Sequence, residues 1–107
     1  MDKTDRLVQL KKRYHSSLSA KAVELEERWR AVTASQFAPP ALTELTLYVH
    51  QLAGSTGMYG YDQPAQLARD LEAYLREPVP AETGWQEKTS ACAHALVQAL
   101  ANSQQVT

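Results

Sequence analysis

At 107 residues the chain has the size of one domain, and its net charge of −1, with 11 basic side chains among 12 acidic ones, leaves no footprint for nucleic acid. No apolar run approaches the roughly 20 residues of a membrane span, and Met1-Asp2-Lys3-Thr4-Asp5 is polar and acidic, unlike a signal peptide, so the cytoplasm is the expected compartment. The single cysteine, Cys92, cannot form an internal disulfide and reads as a small core residue.

Thr4 is positioned to cap a helix that opens with Asp5, an acid suited to the positive end of the helix dipole. Leu7, Leu10, Tyr14 and Leu18 recur at helical spacing, and Val23, Leu25, Trp29 and Val32 carry the pattern to about Ala34. Ser16, Ser17 and Ser19 interrupt it, because serine competes with the backbone for hydrogen bonds, so a kink or break is expected there with His15 solvated beside it. Pro39 and Pro40 end that helix, and Pro40 suits the first position of the next, which runs to about Met58 before Gly57 and Gly60 let the chain turn.

Asp62 or Gln63 is the expected cap of a third helix, with Pro64 in its first turn and Leu67, Leu71 and Leu75 along one side. Glu72 lies at the edge of that face, about 100° from Leu71. Glu77-Pro78-Val79-Pro80 reads as a stiff linker and Thr83-Gly84-Trp85-Gln86 as a capping box. The last helix aligns Trp85, Thr89, Cys92, Leu96, Val97 and Leu100, and Asn102–Thr107, without an apolar face, is expected to fray. Four amphipathic helices with short connections imply an all-α, up-and-down antiparallel four-helix bundle, one domain over 1–107 with an ordered core at about 4–102.

The chemistry lies on the second helix. Leu42, Leu45, Val49, Leu52 and Thr56 form its apolar stripe, with Tyr48 beside it, and His50 stands roughly 130° from the stripe's centre. Around His50 on its own face are Thr43, Thr46, Leu47, Ala53, Gly54 and Gly57, most of them small. Gly54, one turn beyond the imidazole, costs the helix about 1 kcal/mol relative to alanine and leaves space for another protein to approach the ring. On helical spacing alone, a lone histidine of this kind is more often an ordinary polar surface or boundary residue.

The run His50-Gln51-Leu52-Ala53-Gly54-Ser55-Thr56, with Gly60 ten residues after the histidine and then Leu71-Glu72, resembles the histidine phosphotransfer (Hpt) domain of bacterial phosphorelays. The first helix, ending in Glu27-Arg28-Trp29, is similar to Hpt modules attached to hybrid sensors. One position departs from the pattern: its lysine, three residues after the histidine, is Ala53 here. The resemblance implies a helical bundle in which His50 accepts a phosphoryl group on Nε2 from a receiver-domain aspartyl phosphate and passes it to another receiver. It implies that Glu72, twenty-two residues on, accepts a hydrogen bond from Nδ1–H and leaves Nε2 free. Partner contact is then expected at Thr46, Ala53, Gly54 and Gly57.

The expected partners are receiver domains, met by a monomer. An Hpt-like docking module that binds a receiver without phosphotransfer is the alternative, and an incidental His50 on a structural bundle is a further one. There is no Gly-rich phosphate loop and no nucleotide motif, and His15, His50 and His94 are not at metal-ligand spacing. Neither kinase activity nor a metal or cofactor is expected.

Overall fold

The computed structural model describes residues 3–79 and 84–105, and these form five helices joined by turns. They are α1 (Lys3–Ser16), α2 (Leu18–Ala34), α3 (Pro39–Met58), α4 (Asp62–Arg76) and α5 (Trp85–Gln105). The fold is all-helical as expected, and the break expected at the serine cluster divides the first helix in two, giving five helices among the described residues. Ser17 Oγ donates to the Tyr14 carbonyl at 2.6 Å, and Ser17 itself remains in the right-handed helical region at φ −90°, ψ −7°. The division is therefore a local break, and the chain does not reverse there.

α2, α3, α4 and α5 close a ring in which each helix packs on two neighbours, α2 and α4 each touching both α3 and α5. The core joins Leu18, Ala22, Leu25, Trp29 and Val32 of α2 to Leu45, Val49 and Leu52 of α3, Ala68, Leu71 and Leu75 of α4, and Ala93, Leu96 and Leu100 of α5. Burying each such leucine or valine side chain contributes about 1.5–3 kcal/mol. Val23, expected with the core, is 56% exposed because it sits one residue off the stripe through Ala22 and Leu25.

α1 departs most from expectation. It has no buried residue, and Leu7 and Leu10 are 51% and 41% exposed. Its apolar stripe continues that of α2, but only its last turn meets the bundle. There Tyr14 donates to or accepts from Ser55 Oγ at 2.7 Å and stacks on Tyr59 at 4.4 Å. His15, expected in solvent, is half-buried: Nε2–H donates to the Gln104 carbonyl at 3.0 Å and Nδ1 pairs with the Tyr61 hydroxyl at 2.9 Å. The same Gln104 accepts the Ser19 N–H through Oε1 at 2.6 Å. α5 is helical to Gln105, where fraying from Asn102 is expected from the sequence, and Val106 and Thr107 lie outside the described residues.

Three further expectations about termini change. Thr4, expected as a cap, lies inside α1, which begins at Lys3. α3 starts at Pro39, one residue early, after Ala38 takes the extended conformation (ψ 139°) that a following proline favours. Asp62 is the first residue of α4, whose cap position is Tyr61 without a side-chain bond, so neither Asp62 nor Gln63 caps it. Pro80 and the Thr83 end of the capping box lie outside the described residues.

Between α2 and α3, Gln36 and Phe37 both adopt positive φ, 57° and 61°. This conformation costs a non-glycine residue of the order of 1 kcal/mol, and it turns the Phe37 ring edge-on to Trp29 (6.2 Å) and Trp85 (5.4 Å).

Candidate functional site

α3 and α4 run antiparallel, which sets the site's register. Gly60, at φ +84°, supplies the left-handed residue of the turn between them, and Tyr61 N–H reaches back to the Thr56 carbonyl at 2.8 Å. Gly57, expected to share that turn, stays within α3. A Cβ there would lie 3.8 Å from that of Ala65, so the missing side chain lets α4 approach closely. Seven residues earlier on α3 stands His50, and seven later on α4 stands Glu72, facing each other across the same seam.

Leu45, Val49, Leu52 and Thr56 anchor α3 in the core, which turns His50 outward with 62% of its side chain exposed. Nδ1 lies 3.0 Å from Glu72 Oε2 and 3.2 Å from Oε1. A carboxylate can only accept, so in the neutral ring the proton sits on Nδ1 and the Nε2 lone pair is free. Glu72 is shielded, its side chain 15% exposed, and Arg76 one turn on donates to the same Oε2 through Nε at 2.7 Å and through its terminal nitrogen. Burial works against the ionised carboxyl, but the hydrogen bonds from Arg76 and His50 outweigh it and hold Glu72 below the usual glutamate value.

The expected docking residues separate. A Cβ added at Gly54 would meet nothing within 4 Å, so the space beside the ring is open. Gly57 is exposed, and Arg69 of α4 reaches toward it, one guanidinium nitrogen lying 4.0 Å from where its Cβ would be. Thr46 is half-buried with its hydroxyl donating to the Leu42 carbonyl at 2.7 Å. Ala53, by contrast, is only 7% exposed and belongs to the core, so it offers a partner almost no surface. The helical wheel placed it on the His50 face, but the core covers it.

Sequence reasoning missed Arg76, although Glu72 and Arg76 stand at the i,i+4 spacing that pairs opposite charges on a helix. It also missed a groove of about 510 Å³ beside the site, lined by Leu42, Thr46, Leu47, Leu75, Arg76 and Pro78. The available signal was Leu47, a large apolar side chain on the otherwise mostly small His50 face. Cys92 is half-buried, and burial together with Asp70 pushes its thiol up to about 11, so it stays protonated at neutral pH.

The Hpt domain family model matches residues 9–106. The chain belongs to the Hpt domain family. No curated protein and no solved structure matches it. Hpt domains are phosphocarrier modules of two-component phosphorelays, so this Hpt domain takes part in histidine phosphotransfer with two-component partners. Among the described residues, no helix is long and apolar enough to cross a membrane.

Proposed function

We propose that this domain is a relay intermediate in which His50 takes a phosphoryl group from the aspartyl phosphate of one receiver domain and delivers it to the aspartate of another. The Nε2 lone pair attacks phosphorus in line with the departing aspartyl oxygen. The P–O bond breaks, and its electron pair leaves with the carboxylate. The product is an N-phosphorylated imidazolium whose Nδ1–H is held by Glu72, and onward transfer reverses these steps at the second receiver. The chain's own groups display and orient the nucleophile, and the rest of the machinery comes with the receiver.

The observation that carries this reading is the contact between Nδ1 and Glu72 at 3.0 Å on a ring whose other nitrogen is open to solvent. An incidental surface histidine does not require a shielded carboxylate at its inner nitrogen. The domain is read as one unit, with α2 to α5 as the up-and-down four-helix bundle and α1 as an N-terminal extension. Receivers dock over Thr46, Gly54 and Gly57 and over the Leu47 groove.

The test is a two-stage transfer. The domain is mixed with a panel of receivers carrying labelled aspartyl phosphate, repurified, and offered to unlabelled receivers. Label should pass onto the domain and then to a second receiver. Tight binding of a receiver with no label on the domain would select the docking-only alternative.

A further inference from the structure

A carboxylate beside an imidazole favours the protonated ring, because the imidazolium gains an ion pair. The imidazolium carries protons on both nitrogens and has no lone pair with which to attack phosphorus. Glu72 alone would therefore orient His50 and at the same time draw it toward its unreactive form. Arg76 meets this conflict directly, since its Nε–H donates at 2.7 Å to Oε2 of Glu72, the oxygen that lies 3.0 Å from His50 Nδ1.

We propose that Arg76 is a positioning residue for phosphoryl acceptance: its guanidinium pins the Glu72 carboxylate and offsets its charge, so that Nδ1–H of His50 is held by a charge-balanced acceptor and Nε2 is presented to the donor. The proposal rests on His50 being the acceptor. The pair acts as a primary amide would in that place, accepting from Nδ1–H without a net negative charge. Its geometry suits the task. Glutamate four residues N-terminal to the cation is the favourable order on a helix, and the planar guanidinium donates two N–H groups to one carboxylate. Glu72 is shielded at 15% exposure while Arg76 covers it from outside at 57%, so the contact is less screened than a pair between two exposed side chains.

The other charges near His50 do not duplicate this arrangement. On α3, Glu44 lies six residues before the ring and is exposed. On α4, Arg69 reaches toward Gly57 and donates to the Gln66 side chain. On α2, Glu24 and Arg28 pair with each other at 3.0 Å, with the Arg28 guanidinium over the Tyr48 ring, and so carry no net charge toward α3.

The experiment uses the full chain with phosphoramidate as donor, because a small donor needs no docking surface. Initial rates of His50 phosphorylation are measured against pH for the wild type, Arg76→Gln, Arg76→Lys, Glu72→Gln and the double variant Glu72→Gln/Arg76→Gln. The His50 ring resonances are followed by NMR over the same range. Arg76→Gln should accept phosphate about two- to fivefold more slowly than wild type near pH 6.5, with the gap closing near pH 8.5. Arg76→Lys should keep most of the wild-type profile, since it keeps the charge. In the Glu72→Gln background the shift on removing Arg76 should shrink, because the guanidinium then has no carboxylate to hold it beside the ring.

Superimposable pH profiles for wild type and Arg76→Gln would overturn the proposal. So would a loss of equal size at every pH, or a shift in the Glu72→Gln background larger than that in the wild-type background. If wild-type His50 takes no phosphate at any pH, the carrier reading fails instead. The NMR titrations then still decide whether Arg76 governs the ring's protonation.

Discussion

Gly54 separates stability from function more cleanly than any other residue of the site. It lies within α3, on the exposed face one turn beyond His50, and a Cβ added there meets nothing within 4 Å. Nothing steric therefore offsets the backbone entropy that alanine removes from the unfolded chain, and Gly54→Ala should stabilise the domain by about 0.8–1 kcal/mol. For a domain of this size that corresponds to a rise of about 4–8 °C in Tm, read by circular dichroism at 222 nm. The same methyl enters the space through which a partner reaches Nε2. Phosphotransfer from a receiver should slow, and more strongly for Gly54→Arg, while labelling by phosphoramidate should stay near the wild-type rate. An unchanged or lowered Tm for Gly54→Ala would refute the claim that this position is unobstructed. A raised Tm with receiver transfer at the normal rate in both variants would refute the claim that the gap serves docking.

Three further outcomes are expected. Gln36→Gly, at φ 57°, should relieve a left-handed residue and raise stability by about 0.5–1 kcal/mol in chemical denaturation, whereas Phe37→Ala should lower it by about 3 kcal/mol or more through loss of the ring packed between Trp29 and Trp85. Ala53→Lys should destabilise by about 1–3 kcal/mol, because the added stem must leave a position only 7% exposed, and a denaturation midpoint equal to wild type would show that the seam has room. Glu72 is held below its ordinary value in the folded state, so its contribution to stability is present above the unfolded-state value and is lost as pH falls through the folded one. Acid unfolding of Arg76→Gln should accordingly begin at higher pH than that of wild type, and coincident acid-unfolding curves would contradict this.

The α3 stripe was legible because Leu45, Val49, Leu52 and Thr56 sit one helical turn apart and all lie at or below 3% exposure. The pairing of His50 with Glu72 was legible from the family pattern, which supplies a register between two helices that periodicity within one helix cannot. Position 53 shows the limit of the wheel. The helices packed on α3 decide which flank is covered, and they bury Ala53 while leaving the adjacent Gly54 open.

α1 shows the complementary limit. Leu7, Leu10 and Tyr14 form a helical stripe, but a stripe only says which side would be buried if something reached it, and Leu7 and Leu10 stay 51% and 41% exposed. His15 and Gln104 were illegible for a related reason. Their bond joins residues 89 apart, and neither carries a local signal of the other. Such contacts arise from helix lengths and crossing geometry, which composition does not encode residue by residue.

The most direct measurement is the identity of the phosphorylated atom. Wild-type protein and His50→Gln are each incubated with a phosphorylated receiver, and the product is examined by mass spectrometry under alkaline conditions and by phosphorus–proton correlation NMR. The account predicts one acid-labile, base-stable phosphate on Nε2 of His50 in the wild type and none in His50→Gln, with both proteins equally helical. Undiminished labelling of His50→Gln, or phosphate found on His15 or His94, would contradict it.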